Sequence, residues 1–302
     1  MARAFILLLA FLVSSGAPTV WLDARLMALP EPANESPSPS KNVAVKPVAA
    51  ISPGVPMDDH ESEAELRLLI LANQSRQEAG APPLTLDAGL SRAALAHALI
   101  MLEERRLSHQ FSGEPSVPER LASSTELHLD QSGENVALDY DAERGHQHLM
   151  LSPPHRANLL NPAYNLIGLA VVRSGDRLYI VQDFGHALPS YSAEEVEDRV
   201  AAALNQVRRD ANLPDLPRHD LPNADAAACS MTQADQLGTS PVQQLAERYT
   251  VLAYTTEHPE SLPDGADHAI ASRNLRSFSI GLCYGRTDTY PMGAYWVLLS
   301  LD

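Results

Sequence analysis

The stretch from Leu149 to Gly168 constrains the fold of this chain more than any other. An apolar-patterned helix spans roughly residues 141–151, and Pro153-Pro154 is expected to stop it because proline removes backbone amide donors. His155 is then the first side chain beyond the stop. A loop rich in Asn and Pro leads into Ile167-Gly168, which opens an alternating apolar run typical of a strand. The pattern predicts a histidine placed at a helix-to-strand connection, where side chains often line a cleft.

Two upstream segments supply further functional groups. Ser108-His109 follows the second predicted helix, and Gly133-Glu134-Asn135 is expected to enter a strand through a tight glycine turn. With His155, these segments bring two imidazoles and one carboxylate to the ends of three elements. Such groups suit Zn²⁺ or another divalent metal, with water in the remaining position. The sequence therefore predicts a metal or ligand cleft formed by His109, Glu134 and His155.

Two other interpretations of these residues stay open. The histidines and Glu134 could act as general acid and base in a hydrolase, with Ser152 or Ser108 as the nearby hydroxyl, although neither serine lies in a Gly-x-Ser-x-Gly elbow. The residues could also form a hydrogen-bonded cluster that only braces the loops.

Local patterns predict the surrounding elements. Ser62 and Glu65 have the spacing of a capping box at the start of the first helix. His97 lies on the apolar face of the second helix and is expected to be a core histidine bonded to backbone. His146 and His148 alternate on an exposed helix and are expected to be solvated.

Composition limits the partners and the compartment. The chain of 302 residues has a formal net charge of −16, which argues against nucleic-acid binding. Residues 1–22 carry one early arginine and an apolar core, as in an export signal peptide, with an uncleaved membrane anchor as the alternative. Residues 23–61 are rich in proline and predict a disordered linker.

Six short motifs in this order resemble the CAP superfamily (cysteine-rich secretory proteins, antigen 5 and pathogenesis-related proteins), in its bacterial SCP-like branch. They are Asn73-x-x-Arg76, Ser108-His109, Gly133-Glu134-Asn135, Ser152-Pro153-Pro154-His155-Arg156, Ile167-Gly168 and Gln182-Asp183-Phe184. The resemblance implies an α+β fold, a three-layer α-β-α sandwich with a largely antiparallel central sheet. It also places the family's cavity histidines on His109 and His155 and its glutamate on Glu134. A second acid found in many eukaryotic members is absent here, and Ser152 best matches its position.

The remaining residues look like a second, degenerate copy of the same domain. Ile280-Gly281 lies 113 residues after Ile167-Gly168, and Asn205-x-x-Arg208 lies 132 residues after Asn73-x-x-Arg76. We therefore expect two tandem sandwiches, at residues 62–188 and 192–302. The 113-residue shift also carries His155 onto His268, which has no second ligand in register and is expected to be structural.

The two cysteines, Cys229 and Cys283, both fall in the second copy. The repeat shifts place Cys229 on a helix that packs against the strand of Cys283, within reach of the Cα spacing of about 5.5–6 Å that a disulfide needs. Two small buried hydrophobic side chains that never meet are the alternative.

Together these features predict an exported protein, secreted or held in the periplasm or cell envelope. Its first domain would be a non-enzymatic binding module for a metal or for a small, lipidic or envelope ligand. The alternatives are a metal-assisted or serine hydrolase of the envelope and a purely structural tandem module.

Overall fold

The computed structural model describes the backbone of strand β1 (Ile6–Leu8) and all of residues 60–302. Apart from β1 and two positions at the end of the linker, the expected signal peptide (1–22) and linker (23–61) lie outside these residues. Both stay predictions, as does the uncleaved anchor. Within the described ranges, no helix has the length and hydropathy needed to cross a membrane.

Residues 62–188, called here the first lobe, contain a mixed four-stranded sheet in the order β2-β4-β5-β3. Strands β3 and β4 pair with β5 in antiparallel fashion, and β2 pairs with β4 in parallel. The elements are α1 (Ser62–Ala79), β2 (Thr85–Leu86), α2 (Ala88–Glu104), α3 (Val117–Ser124), β3 (Leu129–Asp139), α4 (Ala142–Leu151), α5 (Pro153–Leu160), β4 (Leu166–Ser174) and β5 (Arg177–Ala187).

The alternation of side chains along β4 divides the core of the first lobe into two layers. Ile167 and Leu169 pack with α1, α4 and α5 on one face of the sheet. Ala170 and Val172 pack against α2 on the other face. Helices therefore cover both sides of the sheet, as the predicted sandwich requires.

Residues 192–302, called the second lobe, contain three antiparallel strands in the order β6-β8-β7, with β1 parallel to β6 at one edge. Helices α6 and α9 pack on one face of this sheet, and α7 and α8 pack on the other. The elements are α6 (Ala193–Asp210), α7 (Ala224–Ala234), α8 (Ser240–Ala246), β6 (Thr250–Thr256), α9 (Ala266–Ile270), β7 (Phe278–Gly285) and β8 (Ala294–Leu301).

The Asn-x-x-Arg motif makes the same hydrogen bonds in both lobes. Asn73 exchanges two hydrogen bonds with the backbone of Leu84, and Asn205 does so with Leu216. The arginine of the motif lies in the last turn of each first helix and is buried, and its guanidinium donates to backbone carbonyls. The acceptors are Pro82, Leu159, Asn161 and Tyr164 for Arg76, and Pro214, Ile270 and Ser272 for Arg208.

These contacts correct the register predicted for His268. Ile270 and Ser272 lie 111 residues after Leu159 and Asn161, the corresponding acceptors of Arg76. At that shift the position of His155 corresponds to Ala266, a buried residue at the start of α9. His268 is therefore not the counterpart of His155, because the connection from the arginine acceptors to the Ile-Gly strand is two residues longer in the second lobe.

The glycine in each Ile-Gly pair allows a helix to approach the sheet closely. A Cβ on Gly168 would lie 2.2 Å from the Leu90 backbone of α2, and one on Gly281 would lie 2.3 Å from the Ala224 carbonyl oxygen of α7. The packing of α7 on β7 also brings the two cysteines together: Cys229 and Cys283 form a disulfide with their Cα atoms 5.0 Å apart.

Three local predictions were wrong. Pro153-Pro154 begins α5 instead of leaving a loop, because proline fits the first helical turn, where amide donors have no intrahelical partner. Gly133 lies inside β3, without a turn. Glu65 caps no helix: its carboxylate accepts a hydrogen bond from the Val171 amide and contacts His60, which ties α1 to β4.

Candidate functional site

His109 and Glu134 meet as predicted. Nδ1 of His109 lies 2.8 Å from Oε1 of Glu134. The imidazole is exposed over 55% of its surface, whereas the carboxylate is exposed over only 2%. The buried carboxylate therefore fixes the orientation of an exposed ring, and Nε2 of that ring has no hydrogen-bond partner among the described residues. The hydrogen bond to Glu134 is also the main cause that raises the pKa of His109.

His155 lies in the first turn of α5 and is partly buried. Its ring centroid is 6.2 Å from that of His109, at an angle of 39°. Burial, and then the charge of His109, lower the pKa of His155. Asn135 holds this helix against β3 by donating a hydrogen bond to the His155 carbonyl oxygen at 3.1 Å. The site thus pairs a ring with a raised pKa, His109, and a ring with a lowered pKa, His155.

A buried ionic network that the sequence analysis missed lies beneath the two histidines. Arg120 of α3 donates to the second oxygen of Glu134, so both carboxylate oxygens are engaged. Arg120 also lies 3.4 Å from Glu114, whose carboxylate is 2.6 Å from His97. Nothing local marks Arg120 as functional, because its partner Glu134 is reached only through the packing of α3 on β3.

The predictions for the other histidines had mixed outcomes. His97 is fully buried and its Nε2 lies 2.8 Å from the Ser108 carbonyl oxygen, as expected of a core histidine. His148 is 64% exposed, although it contacts the buried Asp139 at 2.5 Å. The prediction for His146 was wrong: it is buried, 2.9 Å from the Ser75 hydroxyl, because α4 turns this side chain towards α1.

The two candidate nucleophiles lie in different surroundings. The Ser108 hydroxyl donates to the backbone oxygen of Gln110 at 2.7 Å. Ser152 joins α4 to α5, and its hydroxyl makes no hydrogen bond to His109 or His155 within residues 60–302.

The three predicted metal ligands are neighbours, but the structure does not arrange them as a ligand set. In the part of the chain that is described, no group of three or more His, Cys, Asp or Glu side chains is placed to hold an ion. Arg120 and His109 occupy the oxygens of Glu134. The two histidines are thus the groups left open to a ligand, and coordination by Glu134 stays a prediction.

Asp183 is a further buried acid under the site. It lies directly opposite Glu134 in the β3–β5 pairing and is fully buried. Burial, and then the charge of Glu134, raise the pKa of Asp183 well above its usual range. Folding therefore favours the protonated form of Asp183, because a charge on this buried group would lie next to the Glu134 carboxylate.

Asp183→Asn is expected to stabilise the protein at pH 7 by more than about 1 kcal/mol. The unfolded chain loses the Asp183 proton near pH 4 and the folded protein loses it only at a higher pH, so the free energy of unfolding of the wild type falls as pH rises above pH 4. Urea unfolding at pH 4.5 and pH 7 measures the effect. Asp176→Asn, in the exposed β4–β5 turn, is the control. A loss of stability at pH 7 in Asp183→Asn would show that the native group is charged.

The strand register shows what the second lobe lacks. Gly168, Asp183 and Glu134 lie side by side across β4, β5 and β3. In the second lobe the corresponding row is Gly281, Leu298 and Ala253. Apolar residues thus replace both buried acids. The second lobe therefore lacks a carboxylate at the position from which Glu134 orients His109.

Comparison with known proteins finds a family match within the first lobe. Residues 69–184 match the family described as "CAP: Cysteine-rich secretory protein family". The uncharacterized protein YkwD of Bacillus subtilis is 33% identical over 115 residues, which are 38% of this chain and 44% of YkwD. The chain therefore spans less than half of that relative, and the family match ends at residue 184, before the second lobe.

Three solved structures match the chain in part, two of them over less than half of it and one over most of it. An extracellular protein containing an SCP domain from Bacillus anthracis is 25% identical, with 42% of this chain and 41% of that chain covered and a TM-score of 0.38. Na-ASP-1 is 8% identical over 82% of this chain and 91% of its own, with a TM-score of 0.46. NaASP2, solved with Zn²⁺, is 14% identical over 43% of this chain and 83% of its own, with a TM-score of 0.31.

Proposed function

We propose that the protein is an exported, non-enzymatic binding module, because its residues 69–184 match the CAP family. Its site would hold a divalent metal such as Zn²⁺, or a small ligand from the envelope, between His109 and His155. The observation that carries the proposal is the exposed His109 ring held at 2.8 Å by a buried carboxylate, with a second imidazole beside it. Glu134 would complete the site by orienting the His109 ring.

The donor set fits a metal of zinc type. Zinc is commonly bound by an imidazole nitrogen. The other ring nitrogen of a ligating histidine usually donates a hydrogen bond to a carboxylate, a backbone carbonyl or water, which fixes the orientation of the ring. His109 has this arrangement, with Glu134 on Nδ1 and Nε2 open. The lowered pKa of His155 keeps that ring neutral near pH 7, the form that binds a metal.

Export is supported by the disulfide between Cys229 and Cys283, since such bonds persist in oxidising compartments. The signal-like N-terminus agrees with it. The second lobe would be a CAP-like copy that lost its site, as its Asn205–Arg208 hydrogen bonds and strand order indicate.

Calorimetric titration with Zn²⁺ tests the proposal. We expect one ion per chain for the wild type and at least a tenfold loss of affinity when both His109→Ala and His155→Ala are introduced, because each removes a ligand. His148→Ala is the matched control, since His148 is also an exposed ring held by a buried carboxylate. Circular dichroism should be unchanged in all variants. Equal zinc binding by wild type and double variant would rule out this site.

As the pH is lowered, the affinity for Zn²⁺ is expected to start falling at a higher pH than it would for two isolated histidines. The raised pKa of His109 means that a proton competes with the metal already above the ordinary histidine range near 6.5. Titration at several pH values should show the decline beginning above pH 6.5.

Turnover of an ester or peptide panel that depends on Ser152 would instead support the hydrolase.

A further inference from the structure

The second lobe contacts the end of α3 through the loop between β7 and β8, called here the β7–β8 loop (residues 286–293). The Arg286 guanidinium donates hydrogen bonds to three backbone carbonyls of the first lobe. They belong to Ala122, Thr125 and Leu127, at 2.5, 2.8 and 3.2 Å. These carbonyls lie at or just beyond the C-terminal end of α3. Carbonyls at a helix end have no amide donor within the helix. Arg286 therefore caps a helix of the other lobe.

Apolar packing accompanies this cap. Met292, only 8% exposed, joins a buried cluster whose other members all come from the first lobe: Leu90, Ala93, Leu121 and Leu129. Leu121 is the residue after Arg120 in α3. The β7–β8 loop thus completes the core beneath α3 and does not merely touch its surface.

The loop is itself held firmly. The Asp235 carboxylate, at the end of α7, accepts hydrogen bonds from the Thr289 amide and hydroxyl at 2.9 and 2.8 Å. The Tyr284 hydroxyl donates to the Met292 carbonyl oxygen at 3.3 Å. The ring of Tyr284 also meets His128 of the first lobe edge-on, with the centroids 4.9 Å apart. An element anchored in this way can transmit position from one lobe to the other.

We propose that the β7–β8 loop is a clamp that positions Arg120, and through Arg120 the Glu134–His109 pair. Arg120 is the side chain that connects α3 to Glu134, and α3 is the element that Arg286 and Met292 hold. The inference rests on the proposed function for the binding role of His109. The clamp would give the second lobe a role in the site of the first lobe. The second lobe itself has Ala253 and Leu298 where the first lobe has Glu134 and Asp183.

Hydrogen exchange of arginine guanidinium groups, followed by NMR, tests the clamp in the full chain. In Arg286→Ala and in Met292→Ala, the Arg120 guanidinium protons are expected to exchange about tenfold faster, because α3 loses hydrogen bonds or packing at its end. Arg76 is the internal reference, since its four acceptors all lie in the first lobe. Arg218→Ala is the control, because Arg218 pairs with Glu197 and Asp198 inside the second lobe.

Two results would overturn the clamp: unchanged exchange at Arg120 in both variants, or equal acceleration at Arg76, which would indicate general destabilisation. Zinc titration of the same variants separates this inference from the proposed function. A threefold to tenfold loss of affinity in Arg286→Ala, with Arg218→Ala unchanged, is expected when both hold. Failure of the wild type to bind zinc would contradict the proposed function, while the Arg120 exchange would still decide on the clamp.

Discussion

Arg76→Ala is expected to lower the free energy of unfolding by about 3–5 kcal/mol. The Arg76 side chain is fully buried and donates to the carbonyls of Pro82, Leu159, Asn161 and Tyr164 at 2.6–2.9 Å. Removing it leaves these acceptors without their donor and opens a cavity between α1 and the loop before β4. Urea unfolding followed by circular dichroism measures the loss.

The second lobe provides a parallel test of the same motif. Arg208→Ala removes a buried guanidinium with three backbone acceptors and should cost nearly as much. Arg209→Ala is the matched control, because this neighbouring side chain is 48% exposed and pairs with Asp215 on the surface. A change below about 0.5 kcal/mol is expected there. If Arg76→Ala were equally mild, the buried hydrogen bonds would contribute little to stability.

Replacing Cys229 and Cys283 together by alanine is expected to lower the free energy of unfolding by about 4 kcal/mol. The two cysteines are 54 residues apart, so the bond restricts a long loop of the unfolded chain. The bond joins α7 to β7, so it also fixes a helix against the sheet of this lobe. Thermal unfolding of the oxidised wild type and of the double variant measures the difference.

Reduction of the wild type provides the control for this prediction. Dithiothreitol should lower the unfolding temperature of the wild type to near that of the double alanine variant, and should leave the variant unchanged. Thiol counting on the denatured protein without reductant should find no free thiol. Two free thiols would show that the bond does not form in the purified protein.

The residues of the site were predictable because they carry local signals. His109 follows a helix end, and His155 follows a proline pair. Glu134 follows a glycine. Each signal places a polar side chain beside an element boundary, which was sufficient to select the residues although two of the boundaries were wrong. The prolines begin α5, and the glycine lies within β3.

Local patterning was enough to predict the elements with strong periodicity, the Asn-x-x-Arg motif of each lobe and the pairing partners available to the cysteines. Periodicity and the short spacing within a motif are visible in the chain itself, although the backbone acceptors of Arg76 lie up to 88 positions away. The folded structure was needed to find that Arg120 contacts Glu134, that Asp183 lies opposite Glu134, and that Arg286 caps α3. Such contacts join residues from 14 to 164 positions apart. Their formation depends on the sheet register and on how the lobes pack, neither of which any short segment encodes.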